Sequence, residues 1–213
     1  MSNGAFLTVE GSDGAGKTTQ LDFIESWLAA RQIDVVRTRE PGGTEVGELL
    51  RNILLNETGL SISNETELLM IFAARQQHLQ ELILPTLRLG KWVLCDRFTD
   101  ATYAYQGAGR GIEEDRIAIL EKWVQKDVRP DLTLVLDVDV TIGQKRSESR
   151  GSKPDRFERE ASDFKLAVRS CYLDRSEKNT KRIRVVDASG SIESVQQSIV
   201  RELKDFIRRR EPV

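Results

Sequence analysis

The sequence predicts an α/β domain of three layers: a five-stranded parallel sheet with helices on both faces. Three observations predict it. Short apolar and β-branched runs recur along the chain, and stretches of helical periodicity separate them. The runs are continuously apolar, the pattern of strands buried on both faces. The first run leads into Gly11-Ser-Asp-Gly-Ala-Gly-Lys-Thr18, a glycine-rich turn that opens a helix.

Residues 5–9 are the first strand candidate, and residues 16–31 the first helix. Residues 33–38 are the second strand. Pro41, Gly42 and Gly43 then force a turn, and Thr44 is placed to cap the next helix. Residues 65–89 carry Leu68, Leu69, Phe72, Leu79 and Ile83 close to helical spacing. The third strand is 91–96, followed by a helix over 112–126 and a fourth strand over Leu132–Asp137. Residues 140–150 lead into 151–157, which Gly151 and Pro154 break. A helix over 163–178, a strand over Ile183–Asp187 and a C-terminal helix over 191–209 complete the pattern. No internal repeat or Pro/Ser-rich linker interrupts it. Residues 1–213 therefore read as a single domain, with a mobile lid at about 143–158.

Composition narrows the function. Of 213 residues, 39% are apolar and 31% charged, as in soluble globular proteins. A formal charge of −2 argues against a nucleic-acid-coating surface. No apolar run approaches membrane-spanning length, and residues 1–4 open no secretory leader. The expectation is a cytoplasmic protein with neither nucleic-acid nor membrane partners. Cys95 and Cys171 are too few for a disulfide framework or a metal site, and Cys95 reads as a small buried side chain. His78, the single histidine, reads as a surface or supporting residue before a general base.

Residues 11–18 match G-x-x-x-x-G-K-[ST] at each fixed position. Gly11, Ser12, Asp13, Gly14, Ala15 and Gly16 would wrap backbone N–H groups around phosphates. Lys17 would sit on the outer phosphates, Thr18 would ligate Mg²⁺, and Thr19 follows on the same helix end. This is the P-loop pattern, and a nucleoside triphosphate is the ligand it implies. In such sheets ligands gather at the carboxyl ends of the strands. Arg39 follows the second strand and is placed to reach a phosphate. Two strand-end carboxylates, Asp96 and Asp137, compete for Mg²⁺. Asp96 has the stronger claim because Arg97 follows it and offers a cation to a second phosphate group. Lys145, Arg146, Arg150, Lys153 and Arg156 concentrate charge around the lid, where an arginine would close over a transferring phosphoryl group.

Residues 10–19, Thr38-Arg-Glu-Pro-Gly-Gly-Thr44, Phe72-Ala-Ala-Arg75, Asp96-Arg97, Thr102-Tyr-Ala-Tyr-Gln-Gly107 with Gly109-Arg-Gly111, and Arg129-Pro-Asp-Leu132 stand in this order along the chain. Together, over nearly the whole length, they resemble the thymidylate kinases. The resemblance implies a P-loop NTPase fold and transfer of the ATP γ-phosphoryl to dTMP, giving dTDP and ADP on the way to dTTP. It further implies that Phe72 stacks on thymine, Arg75 bonds a base carbonyl, and Thr102 and Gln106 read the base edge. Tyr105 would lie against the sugar, Asp13 would accept from its 3′-OH, and Arg39 and Arg97 would clamp the dTMP phosphate. Gly14 stands where one branch of the family carries a catalytic arginine. The chain thus resembles the mostly bacterial style, which draws that arginine from the lid: Arg150 first, Arg156 second. A homodimer is implied as well.

Rival readings are a deoxynucleoside kinase, which would need a carboxylate base, and a nucleotide switch without turnover. No Asn-Lys-x-Asp follows the fourth strand, which argues against a GTPase. Adenine contacts are poorly marked. Arg182 and the residues after Asp187 are the positional candidates.

Overall fold

Alternation within each strand assigns its two faces. Leu7 and Val9, Trp92 and Leu94, and Leu132, Leu134 and Leu136 point one way. Phe6, Val93, Cys95 and Val135 point the other. A computed structural model describes residues 4–56, 61–149, 151 and 155–210. Its five strands are β1 (Phe6–Glu10), β2 (Val35–Arg39), β3 (Trp92–Asp96), β4 (Leu132–Asp137) and β5 (Ile183–Asp187). All neighbours are parallel, in the order β2-β3-β1-β4-β5.

Helices cover both faces. On one side lie α1 (Lys17–Ala29) and α9 (Ile192–Arg210). Spacings of four, four and three residues put Val195, Ile199, Leu203 and Phe206 of α9 on one buried stripe. On the other side, α3 (Asn64–His78) runs through a π-helical turn, Leu79–Ile83, into α4 (Leu84–Arg88). Beside it pack α5 (Thr99–Thr102) with its π-helical continuation Tyr103–Gly109, α6 (Glu114–Gln125) and α8 (Ser162–Lys178). The stretch expected as one helix over 65–89 is thus three joined segments. Two helices carried weaker signals: α2 (Glu45–Leu55), capped by the Thr44 side chain accepting from Gly47 N–H, and α7 (Val140–Glu148). Among the described residues, no helix is long and apolar enough to cross a membrane.

Register fixes what the sheet's carboxyl edge presents. Asp96 is level with Val9 on one side and Arg39 on the other, and Asp137 is level with Asp187. Asp137 is spoken for. Arg169 of α8 grips it with two bonds, Nε to Oδ1 at 2.7 Å and Nη2 to Oδ2 at 2.9 Å. That fork pins α8 to β4 and leaves Asp96 as the freer strand-end carboxylate.

Candidate active site

Residues 11–16 turn from β1 into α1 as a loop of backbone donors. Gly14 sits at φ +76°, and a Cβ there would collide with the backbone carbonyl of Gly143 in α7. The loop therefore has no room for a side chain at this position, arginine included. Lys17 opens α1 and folds back along the loop, with Nζ 3.1 Å from the Gly11 carbonyl and 3.2 Å from that of Ser12. Burial, with the Arg97 charge close by, lowers the Lys17 pKa from its ordinary value. An anion in the cavity that Lys17, Thr18 and Thr19 line would oppose that shift. Asp96 and Thr18 line this same cavity, and Asp96 Oδ1 is buried with no hydrogen-bond partner. Among the described residues no three His, Cys, Asp or Glu side chains form a self-sufficient metal cluster. One carboxylate and one hydroxyl, with phosphate and water completing the shell, is the sparse protein ligation magnesium accepts. The residues present fit it.

Arg97 is held from every side. Its backbone adopts φ +69°, a left-handed conformation uncommon outside glycine. Nη1 donates to the Gly11 carbonyl at 3.0 Å and to the Tyr172 hydroxyl at 3.2 Å. Nη2 donates to Asp13 Oδ1 at 3.0 Å, and the guanidinium lies 4.7 Å from the Tyr105 ring centroid. Behind it, buried Glu10 accepts from Tyr172 OH at 2.8 Å and from Phe98 N–H at 2.7 Å. Burial pushes the Glu10 carboxyl from the usual 4.5 to about 8, with Asp100 adding to the shift and Arg97 opposing it.

The sign of this shift gives a stability prediction. Between pH 4.5 and about 8 the folded chain holds a proton at Glu10 that the unfolded chain has released. Stability from this group is complete below the unfolded value and lost as pH rises through the folded one. Glu10→Gln keeps the shape and removes the ionisation. Its melting temperature relative to the parent should climb between pH 5 and about 8 and level off above. Parallel profiles for the two proteins would refute the assignment.

A second cavity adjoins the first. Asp13, Arg51, Asp96, Arg97 and Asp155 border both. Its inner wall is built on Arg75, buried on α3. Arg75 Nε donates to Glu40 Oε2 at 2.7 Å and Nη2 to Thr102 Oγ1 at 2.9 Å, while Nη1 is buried without a partner. Glu40 Oε1 meets His78 Nδ1 at 3.1 Å, and His78 Nε2 meets Thr38 Oγ1 at 2.7 Å. Gly43, at φ +78°, makes room for that last bond. A Cβ there would lie 2.6 Å from His78 Nε2. His78 is therefore fully buried, and it supports Glu40 and not the surface. Thr102, Tyr105 and Gln106 complete the wall.

Comparison with known proteins decides the family. Residues 9–199 match the family model described as thymidylate kinase. The chain belongs to the thymidylate kinase family. The family phosphorylates dTMP to dTDP with ATP, for dTTP synthesis. The thymidylate kinase of Ruthia magnifica subsp. Calyptogena magnifica is 52% identical over 199 residues, 93% of this chain and 97% of that one. That of Chromohalobacter salexigens is 52% identical over 206 residues, 96% and 97% of the two chains. The crystal structure of thymidylate kinase from Ehrlichia chaffeensis superimposes with a TM-score of 0.77 at 34% identity, covering 94% of this chain and 99% of that one.

Set against thymidylate kinase expectations, the structure brings together Asp13, Lys17, Thr18, Thr19, Asp96 and Arg97 at one cavity. It brings Arg75, Thr102, Tyr105 and Gln106 to the other. Four expectations need correction. Phe72 does not face the second cavity; its neighbour Ile71 does. One residue along a helix turns a side chain by about 100°, and Phe72 packs into the core with Leu68, Tyr103 and Ile117. There its ring lies 4.8 Å from the Arg75 guanidinium, supporting it from behind. Arg39 is half-exposed and pairs with Glu48 at 2.8 Å, so neither cavity has it as a wall. Arg51 of α2, which the strand-end rule could not find, borders both, its Nη1 held by the Pro41 carbonyl at 2.8 Å. Arg156 pairs with Glu67 and not with the phosphate loop. Arg182 grips buried Asp100, at 2.6 and 2.9 Å, and lines neither cavity. Ala188, Gly190 and Ser191 do line the first cavity, with Arg146 anchored to the Ala188 carbonyl at 2.7 Å. Arg150 and Lys153 lie outside the described residues.

Proposed function

We propose that the chain binds ATP along residues 11–19 and dTMP in the second cavity, and transfers the γ-phosphoryl in line to the dTMP phosphate. The observation that carries this is the shared wall. Arg97 and Asp13 stand between a phosphate loop and a pocket lined by amide, hydroxyl and guanidinium groups. The acceptor phosphate is already an anion at neutral pH, so the reaction needs no general base. Its difficulty is repulsion: two unit charges 4 Å apart oppose each other by about 4 kcal/mol at an effective dielectric near 20. Lys17, Arg97 and Arg51 offset it and stabilise charge on the transferring group. Thr18 and Asp96 would hold Mg²⁺, which when bound supplies further charge neutralisation at the phosphates. Asp13 would accept from the sugar 3′-OH, and Tyr105 would border the sugar. The lid arginine that completes the site is assigned to Arg150, because Arg156 is committed to Glu67.

The nearest rival, a kinase of nucleosides, needs a free carboxylate beside the acceptor hydroxyl. It has no use for arginines at an acceptor phosphate, yet Arg51 and Arg97 border both cavities. ADP release measured with dTMP, with thymidine and with no acceptor separates the readings. The expected result is turnover with dTMP alone. Equal turnover with thymidine would refute the assignment.

We also assign a homodimer. Leu69 of α3 and Ile119 and Trp123 of α6 are 55%, 68% and 76% exposed, a large apolar surface for a monomer to leave in water. A sedimentation mass near twice that of the chain is expected. The highly charged substrates do not cross bilayers unaided, which supports a cytoplasmic location.

A further inference from the structure

Glu67 lines neither cavity, yet it is 1% exposed in the first turn of α3. A buried carboxylate needs partners, and three hold this one. Gln106 Nε2 donates to Oε1 at 2.8 Å, Arg110 Nε approaches the same oxygen at 3.4 Å, and Arg156 of the lid pairs with Oε2. A carboxylate only accepts hydrogen bonds, whereas a glutamine amide has one accepting and one donating end. Glu67 thereby dictates which way the Gln106 amide lies: NH₂ toward α3, carbonyl away from it. Gln106 is a wall of the second cavity, and no described residue donates to its Oε1. The same wall holds Arg75, whose buried Nη1 is an unused donor. The pocket thus offers a fixed acceptor and a fixed donor.

We propose that Glu67 is a specificity-determining residue for the acceptor base, acting through Gln106 without touching the substrate. This rests on the dTMP reading above. With the amide fixed, the pocket matches a pyrimidine bearing a 4-carbonyl and an N3–H. A 4-amino pyrimidine sets its N3, an acceptor, against the acceptor of Gln106, and its amino group cannot accept from the Arg75 Nη1 donor. Leaving such buried groups unpaired is what makes a polar pocket selective.

The test compares dTMP and dCMP as acceptors in an ADP-release assay. Glu67→Gln frees the Gln106 amide to present either end. The expected result is a ratio of dTMP to dCMP kcat/KM that shrinks at least ~10-fold, with the KM for ATP within about twofold of the parent. Arg156→Ala removes the lid partner and leaves the Gln106 bond, so it should raise the KM for dTMP with the ratio unchanged. A ratio that Glu67→Gln leaves within about twofold, or an equal loss with both acceptors, would show a merely structural role and overturn the proposal. One arm needs no variant: the parent enzyme should fail with dTMP methylated at N3, and turnover of that compound equal to dTMP would also overturn it. A parent inactive on dTMP itself would instead overturn the functional reading, and this one with it.

Discussion

Arg97→Ala is expected to lower kcat/KM for dTMP by roughly 10³-fold, the scale set by single charged groups that stabilise a transferring phosphoryl. The reason is geometric as much as electrostatic. One guanidinium answers the Gly11 carbonyl, Asp13 and Tyr172 together, with the Tyr105 ring packed against it. That fixes a cation between the two cavities before substrates arrive, so little reorganisation remains for the reaction. Lysine cannot reproduce a planar fork with several donors. Arg97→Lys should therefore recover only a small part of the loss. The readout is steady-state ADP release at saturating ATP, with kcat and KM separated. An alanine variant within about tenfold of the parent would remove Arg97 from the centre of the mechanism.

Glu40→Ala is expected to have the largest effect on stability. Its carboxylate is the shared partner of buried Arg75 and His78, at 2.7 and 3.1 Å. Removing one member of a buried ion pair strands the other charge, at a cost of about 3–5 kcal/mol. For a chain of this size that lowers the melting temperature by about 10 °C. The same change releases Arg75 from the wall of the second cavity, so on the proposed reading the KM for dTMP should rise while that for ATP stays near the parent value. Arg75→Met in the Glu40→Ala background removes the stranded charge and should restore part of the stability. Additive losses in that double variant would contradict the coupling.

Which parts were legible in the sequence follows from how local their signals are. β4 and β5 begin and end where their apolar runs do, and the phosphate loop is written in contiguous residues. Arg75, Arg97, Thr102, Tyr105 and Gln106 stand in the stretches that carry the family resemblance, and all line the second cavity. The misses are all matters of direction or of distant partners. Ile71 and Phe72 are adjacent, and only the packing of α3 against Tyr103 and Ile117 decides which of them turns to the core. Arg39 stands at a strand end, but Glu48 of α2 draws it outward. Arg51 reaches the site from within α2, where no strand-end rule looks. Glu67 reads as one more charge on an amphipathic helix. It is buried because Gln106 and Arg156, far along the chain, come to meet it. Tyr172, in α8, is tied to Glu10 across the fold, and no spacing marks that pair.

The central claim is that the phosphate of dTMP, and not water or a hydroxyl, receives the phosphoryl group. A single-turnover reaction with ATP labelled at the γ-phosphate, dTMP and Mg²⁺ tests it directly, with separation of all labelled products. The account predicts label in the β-phosphate of dTDP, formed in step with ADP. Label recovered as inorganic phosphate, or on the sugar 3′-oxygen of dTMP, would contradict it.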